Sequence, residues 1–226
     1  MSYRKRYRKR KPRYRKRQSP WGRRLGTAAK ALAVAYSVKK LLNVEYKVFD
    51  APVIDATVDE TGSIHPLNKI PSGDTFITRD GNQCKMVSMH FKGTLLQHPS
   101  TIVASQVRIS LLKVTHQDSS DPTVSGGENG MWQDATMTSF RNMTTDSTVR
   151  NRYICLWNQV YNLAPADQPG SIKYIEKFWK MPLKFVYKSS ATNAPNKNSL
   201  WMVIFSDEDT NTPTFNGQTR IRFIDN

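Results

Sequence analysis

The sequence predicts an all-β fold: one eight-stranded antiparallel sandwich, with a disordered basic arm and a short helix at its N-terminal end. Three observations carry this expectation. Apolar and polar residues alternate with period two in several runs after residue 43, the spacing of strands with one buried and one wet face. Segments rich in Gly, Pro, Asn, Asp and Ser separate those runs, and little between them has helical periodicity. Charge also divides the chain. Residues 1–40 hold 16 Lys and Arg and no acid, whereas residues 41–226 hold 18 Lys and Arg against 18 Asp and Glu, so the whole +16 belongs to the N-terminal end. A neutral body of that length can bury a core without self-repulsion, while a cationic tail binds polyanions by counterion release.

The arm is residues 1–24. Its thirteen cations are Arg4, Lys5, Arg6, Arg8, Lys9, Arg10, Lys11, Arg13, Arg15, Lys16, Arg17, Arg23 and Arg24. This composition cannot bury enough apolar surface to offset chain entropy, so disorder is expected in the free protein. Each phosphate contact on a single strand adds about −0.7 to the salt slope, giving about −9 if all thirteen contribute. Tyr3, Tyr7, Tyr14 and Trp21 are interleaved with the cations. They are either base-stacking groups, worth about 1–3 kcal/mol per base, or spacers. Arg4–Arg17 also fits a nuclear localisation signal read by import receptors. A mitochondrial transit peptide would share the arginines, but Pro12 and Pro20 break the amphipathic helix it needs.

Residues 25–42 read as a short helix or a linker. Thr27 can cap a helix, and Leu25, Ala28, Ala29, Leu32 and Tyr36 recur at helical spacing. The body, 43–226, then turns to strands, predicted near 44–51, 85–95, 105–115, 136–142, 151–162, 172–188, 200–206 and 218–224. Val87, Met89, Phe91 and Leu95 oppose Ser88, His90 and Lys92; Val107, Ile109 and Leu111 oppose Arg108 and Ser110; Ile221 and Phe223 oppose Arg220 and Arg222. The segments 52–84, 116–135, 163–171 and 189–199 read as turn-rich connections. Among sandwiches, a jelly roll has this strand count.

Chemical motifs are sparse. His65, His90, His98 and His116 have no metal-ligand spacing with Cys84 or Cys155, which read as free, at least half-buried thiols. Asp207-Glu208-Asp209 reads as a solvated acidic turn in preference to a calcium site. The glycine-rich Gly126–Gly130 lacks the Lys-Ser/Thr of a phosphate-binding loop, and no nucleophile–base constellation stands out. No enzyme activity, cofactor or metal is therefore expected, and no run approaches the ~18 apolar residues of a membrane span. Lys184, Lys188, Arg220 and Arg222 lie in or beside strands and read either as a basic patch that extends nucleic-acid binding or as solvated and ion-paired surface charge.

Five stretches carry a family resemblance: Asn43–Asp50 behind the arm; Ile70-Pro71-Ser72-Gly73 and Arg79-Asp80-Gly81-Asn82, leading into a strand that ends at Gly93; and Arg152–Trp157 and Asn198–Val203. Together they resemble capsid proteins of circular, Rep-encoding single-stranded DNA viruses, of the circovirus and geminivirus kind. Shells of small single-stranded RNA satellite viruses are also similar. One departure is His116–Ser120, where many relatives carry an Asp-Lys-Gln-like turn. The resemblance implies a single jelly roll, a small icosahedral shell of about 60 copies (T=1), an inward arm that packages a single-stranded DNA genome, and passage through the host nucleus. An RNA genome, a non-assembling nucleic-acid-binding domain and a ligand-holding jelly-roll enzyme are the rival readings.

Overall fold

A computed structural model describes residues 46–52, 54–116, 123–125, 130–133, 135–138, 153–189 and 195–225. The arm, the 25–42 segment and most of 136–152 lie outside them, and with them the expectations for 1–24 and 25–42. Glu45–Asn226 is one compact unit. The described part is all-β, with no helix.

Eleven strands are described: β1 (Lys47–Asp50), β2 (Ile54–Thr57), β3 (Ser63–Pro66), β4 (Gln83–Leu96), β5 (Ser105–His116), β6 (Thr123–Ser125), β7 (Gly130–Trp132), β8 (Tyr153–Leu163), β9 (Ile172–Tyr187), β10 (Pro195–Ser206) and β11 (Thr214–Asp225). Their pairing is nested: β1 and β2 with β11, β3 with β10, β4 with β9, and β5 with β8, all antiparallel. Lateral pairs β11–β4 and β10–β5 complete two ribbons. The first ribbon runs β1/β2–β11–β4–β9 and the second β3–β10–β5–β8. They join where β9 meets β10, at Tyr187↔Pro195 and Val186↔Lys197.

The alternating residues of both ribbons fill one core. Met86, Met89, Phe91, Leu95, Phe215, Ile221 and Phe223 of the first meet Val107, Ile109, Leu111, Leu200, Met202 and Ile204 of the second. Phe91 of β4 lies 6.3 Å from Trp157 of β8, which is 5.8 Å from Trp179 of β9. Burying each such side chain contributes about 1.5–3 kcal/mol. Phe215 stacks on Phe91 at 5.9 Å because two glycines make room for it. Gly93 and Gly217 face each other across β4 and β11. A Cβ on either would sit 2.7 Å from the Phe215 ring.

A second apolar cluster covers the far side of the second ribbon. Val124, Met131 and Trp132 pack on Leu112, Val114, Trp201, Val203 and Phe205. Hence β10 is buried on both faces from Ser199 to Ser206, which explains its unbroken run Leu200–Phe205.

The structure corrects several expectations. The connections predicted as turn-rich contain β2, β3, β6, β7 and the first residues of β10. Thr136–Thr138 form a bend and turn, not a strand. A register shift between Met86 and Ser88 moves Cys84 and Met86 into the core, leaves Val87 half-buried and makes Ser88 5% exposed. Arg108 and Ser110 are buried instead of wet, because Trp132, Thr136 and Met137 meet Arg108 and Asn158 accepts from both. Arg108 Nε donates to Asn158 Oδ1 at 2.9 Å, and its Nη1 donates to the carbonyls of Thr136 and Met137 at 3.1 and 3.3 Å. Its guanidinium lies 3.8 Å from the Trp132 ring centroid. Both cysteines are free, as expected, and burial pushes the Cys84 thiol up to about 12.

The motif residues near 70–82 are scaffold. Arg79 is fully buried and stacks 3.8 Å over Tyr187. It donates to the carbonyls of Ile70, Gly81 and Ser189, while its own carbonyl accepts from Gly73 N–H and its N–H donates to Pro71. Tyr187 in turn donates to the Asn68 carbonyl at 3.0 Å. Ile-Pro-x-Gly and Arg-x-Gly-Asn thus close one loop around one guanidinium.

Candidate nucleic-acid interface

The first ribbon has nothing over its outer face among the described residues, and its pleat puts charge there. Rows across β11, β4 and β9 read Arg222–Ser88–Lys180, Arg220–His90–Phe178, Gln218–Lys92–Glu176 and Asn216–Thr94–Tyr174. Past the register shifts, Lys85 lies opposite Lys184. Six cations, Lys85, Lys92, Lys180, Lys184, Arg220 and Arg222, share the face with three carboxylates, Asp50, Asp55 and Glu176. The surplus is positive on a body whose net charge is zero.

Of the four body cations singled out from sequence, Lys184, Arg220 and Arg222 come together on this face. Lys188 lies just beyond β9 and is exposed. Arg220 is held by Asp50 through two 2.7 Å hydrogen bonds. Those bonds keep the Asp50 carboxyl below its usual value and Arg220 above its own. Arg222 lies 5.1 Å from the Tyr46 ring centroid. Glu176 accepts from His90 at 2.7 Å and Lys92 at 3.1 Å, which lowers its pKa, His90 contributing most. Lys85, Lys180 and Lys184 have no ion pair among the described residues, so they can meet phosphate without breaking one. The thirteen arm cations, Tyr3, Tyr7, Tyr14 and Trp21 lie outside the described residues.

Sequence reasoning missed the aromatics of this face. Tyr174 is 82% exposed and Phe178 63%. The signal was available: strict alternation from Tyr174 to Lys184 aligns Tyr174, Glu176, Phe178, Lys180 and Lys184. Between Tyr174 and Phe178 the strand rises about 13 Å.

A second kind of surface is apolar. At one end of the sandwich the loops are knitted together: Gln97 N–H donates to Ser171 O at 2.9 Å, Ala166 N–H to Thr101 O at 3.1 Å, and the Thr101 hydroxyl to Asn211 O at 3.1 Å. From that ordered end Ile102 projects 87% exposed, with Val103, Ile172 and Leu96 also exposed. Phe76 and Ile77, each 56% exposed, form another apolar group beside Val48 and Pro71.

The acidic run Asp207–Asp209 does not converge on one point. Asp207 Oδ1 accepts Gln106 N–H and Asp209 Oδ1 accepts the Thr210 hydroxyl. Burial, then Asp207 and Asp209, raises Glu208. Among the described residues no group of His, Cys, Asp or Glu is placed to hold a metal ion, and no helix is long and apolar enough to cross a membrane.

No family model matches the sequence, and no curated protein matches it. Among the solved structures that match, that of infectious bursal disease virus, Gx strain, aligns over 78% of this chain and 32% of that chain, at 7% identity and a TM-score of 0.25. The chain therefore spans about a third of the length of that protein. A superposition that loose carries no argument about fold or function.

Proposed function

We propose that this chain is a viral capsid protein. Its body is a single jelly roll that assembles into a small icosahedral shell of about 60 copies, and its arm packages circular single-stranded DNA. The observation that carries this reading is the nested pairing β1–β11, β3–β10, β4–β9, β5–β8 on a neutral body behind an N-terminal end, residues 1–40, that holds all the net charge. Such nesting is how a long antiparallel ribbon folds over into two four-stranded layers. The exposed apolar residues on an ordered loop end suit contacts between copies. Sixty copies of residues 1–40 would carry about 960 positive charges, enough to neutralise about a thousand phosphates directly. In this reading the face bearing Lys184, Arg220 and Arg222 lines the lumen, and the arm also carries the chain to the host nucleus before assembly. No step requires an enzyme activity, metal or cofactor.

Electron microscopy of the purified full-length protein, with extracted nucleic acid treated with DNase and with RNase, tests the reading. Uniform small icosahedral particles holding DNase-sensitive nucleic acid are expected. Monomers or dimers at every salt and nucleic-acid condition would leave only a non-assembling binding domain. Particles from infected cells that hold RNase-sensitive genomes would overturn the DNA assignment. Removing residues 1–40 should abolish most nucleic-acid affinity and still leave an oligomeric body.

A further inference from the structure

We propose that the outer face of the first ribbon is a stacking platform for single-stranded DNA, with Tyr174 and Phe178 as the base-stacking residues. The inference rests on the packaging reading above and adds to it the residues of the folded body that meet the bases. Both rings stand out from β9, beyond β4 at the side of the ribbon, on the face turned away from the core, where an exposed aromatic gains nothing from it. Each has cations around it. Phe178 shares a row with His90 and Arg220, and Lys180 follows two residues on. Tyr174 walls a shallow groove of about 610 Å³ floored by the Gly93–Gly217 pair, with Lys92 on one side and the amides of Asn216 and Gln218 along its edge. A base lying on Tyr174 would meet those amides, which both donate and accept hydrogen bonds, while its phosphate meets Lys92. Exposed rings interleaved with cations on an open sheet are what sequence-tolerant single-strand binding uses.

Glu176, the carboxylate between the two rings, accepts from His90 and pairs with Lys92, so a phosphate that meets Lys92 competes with this exposed pair, which is worth little to the fold. A second copy of the chain suits this face less well. Its six cations to three carboxylates would meet like charge across a symmetric contact, and its two rings are separated by charged side chains instead of forming an apolar patch.

The test uses the full-length chain and oligo(dT) carrying 5-iodouracil. Photo-crosslinking followed by peptide mass spectrometry should place adducts on Tyr174 and Phe178 in addition to arm residues. Adducts confined to the arm would overturn the proposal. Phe178→Ala and Tyr174→Ala should each weaken oligo(dT) binding about tenfold at raised salt, where the arm is screened. The salt slope should stay unchanged, because no phosphate contact is lost. Phe178→Trp should bind like the parent. Unchanged affinity in both alanine variants, or a loss matched by a smaller salt slope, would contradict stacking. A change in oligomeric state without a change in affinity would make the face a protein contact, and clearly tighter binding of oligo(rU) would defeat the DNA assignment. Particle formation by the same variants separates the two readings. Shells with unaltered binding sink the platform alone, whereas altered binding without shells sinks the capsid reading and leaves the platform standing.

Discussion

The two ribbons are built from strands of similar length, yet their outer faces have opposite fates. Over the middle of β10 and β5, Val124, Met131 and Trp132 form an apolar cover, and a guanidinium and the Ser110 side chain are buried with it. Over the first ribbon nothing among the described residues does so, and the same pleat leaves six cations, three carboxylates and two rings in water. The difference teaches where to look for function. A covered face specifies packing, so its polar groups must find partners inside the protein. A bare face keeps polar groups that owe the fold little, and these remain open to a ligand.

Substitutions can break this contrast, and the largest effect is expected on the covered side. Arg108→Ala removes the stack on Trp132 and the hydrogen bonds to Asn158, Thr136 and Met137. It should cost about 3–4 kcal/mol in a denaturant melt. A loss under 1 kcal/mol would mean that Trp132, Thr136 and Met137 are not pinned by this residue. Next comes the shared core. Gly217→Ala drives a Cβ into the Phe215 ring, which is fully buried and has little room to yield. A cost of about 1–3 kcal/mol is expected.

On the bare face the effects shrink. Phe178→Ala should change the melt by no more than about 0.5 kcal/mol, which is what makes it usable as a binding probe. A larger loss would show that the ring serves the fold. The smallest effect belongs to the exposed Asp50–Arg220 pair. The folded carboxyl sits below its ordinary value of 3.8, so its contribution is complete above that value and fades as pH falls through the lowered one. Asp50→Asn should therefore differ slightly from the parent near neutrality, and the two should converge in acid. A gap that widens toward low pH would reverse the sign.

The same contrast explains how much was legible in the sequence. On β11, Ile221 and Phe223 alternate with Arg220 and Arg222 as read, because one face meets the core and the other meets water. On β5 the alternation misled, since Arg108 and Ser110 look like wet-face residues until a distant segment folds over them. Nothing within β5 encodes that cover. β2 and β3 have four residues each, too few for a period to register, and they exist because β11 and β10 offer them edges. Tyr174 and Phe178 lie within the strand predicted near 172–188 but carry no role in that reading; only their exposure separates them from core aromatics such as Phe91. The motif Arg79-Asp80-Gly81-Asn82 marked the right loop, and the structure supplies its physical reason in a guanidinium that holds three carbonyls.

The most direct test is a three-dimensional reconstruction of the assembled full-length particle, fine enough to trace β4, β9 and β11. The account predicts Tyr174, Phe178, Lys184 and Arg222 facing the lumen, with nucleic-acid density against them, and Ile102 in a contact between copies. A shell with that face turned outward, or with another subunit packed over Tyr174 and Phe178, would contradict it.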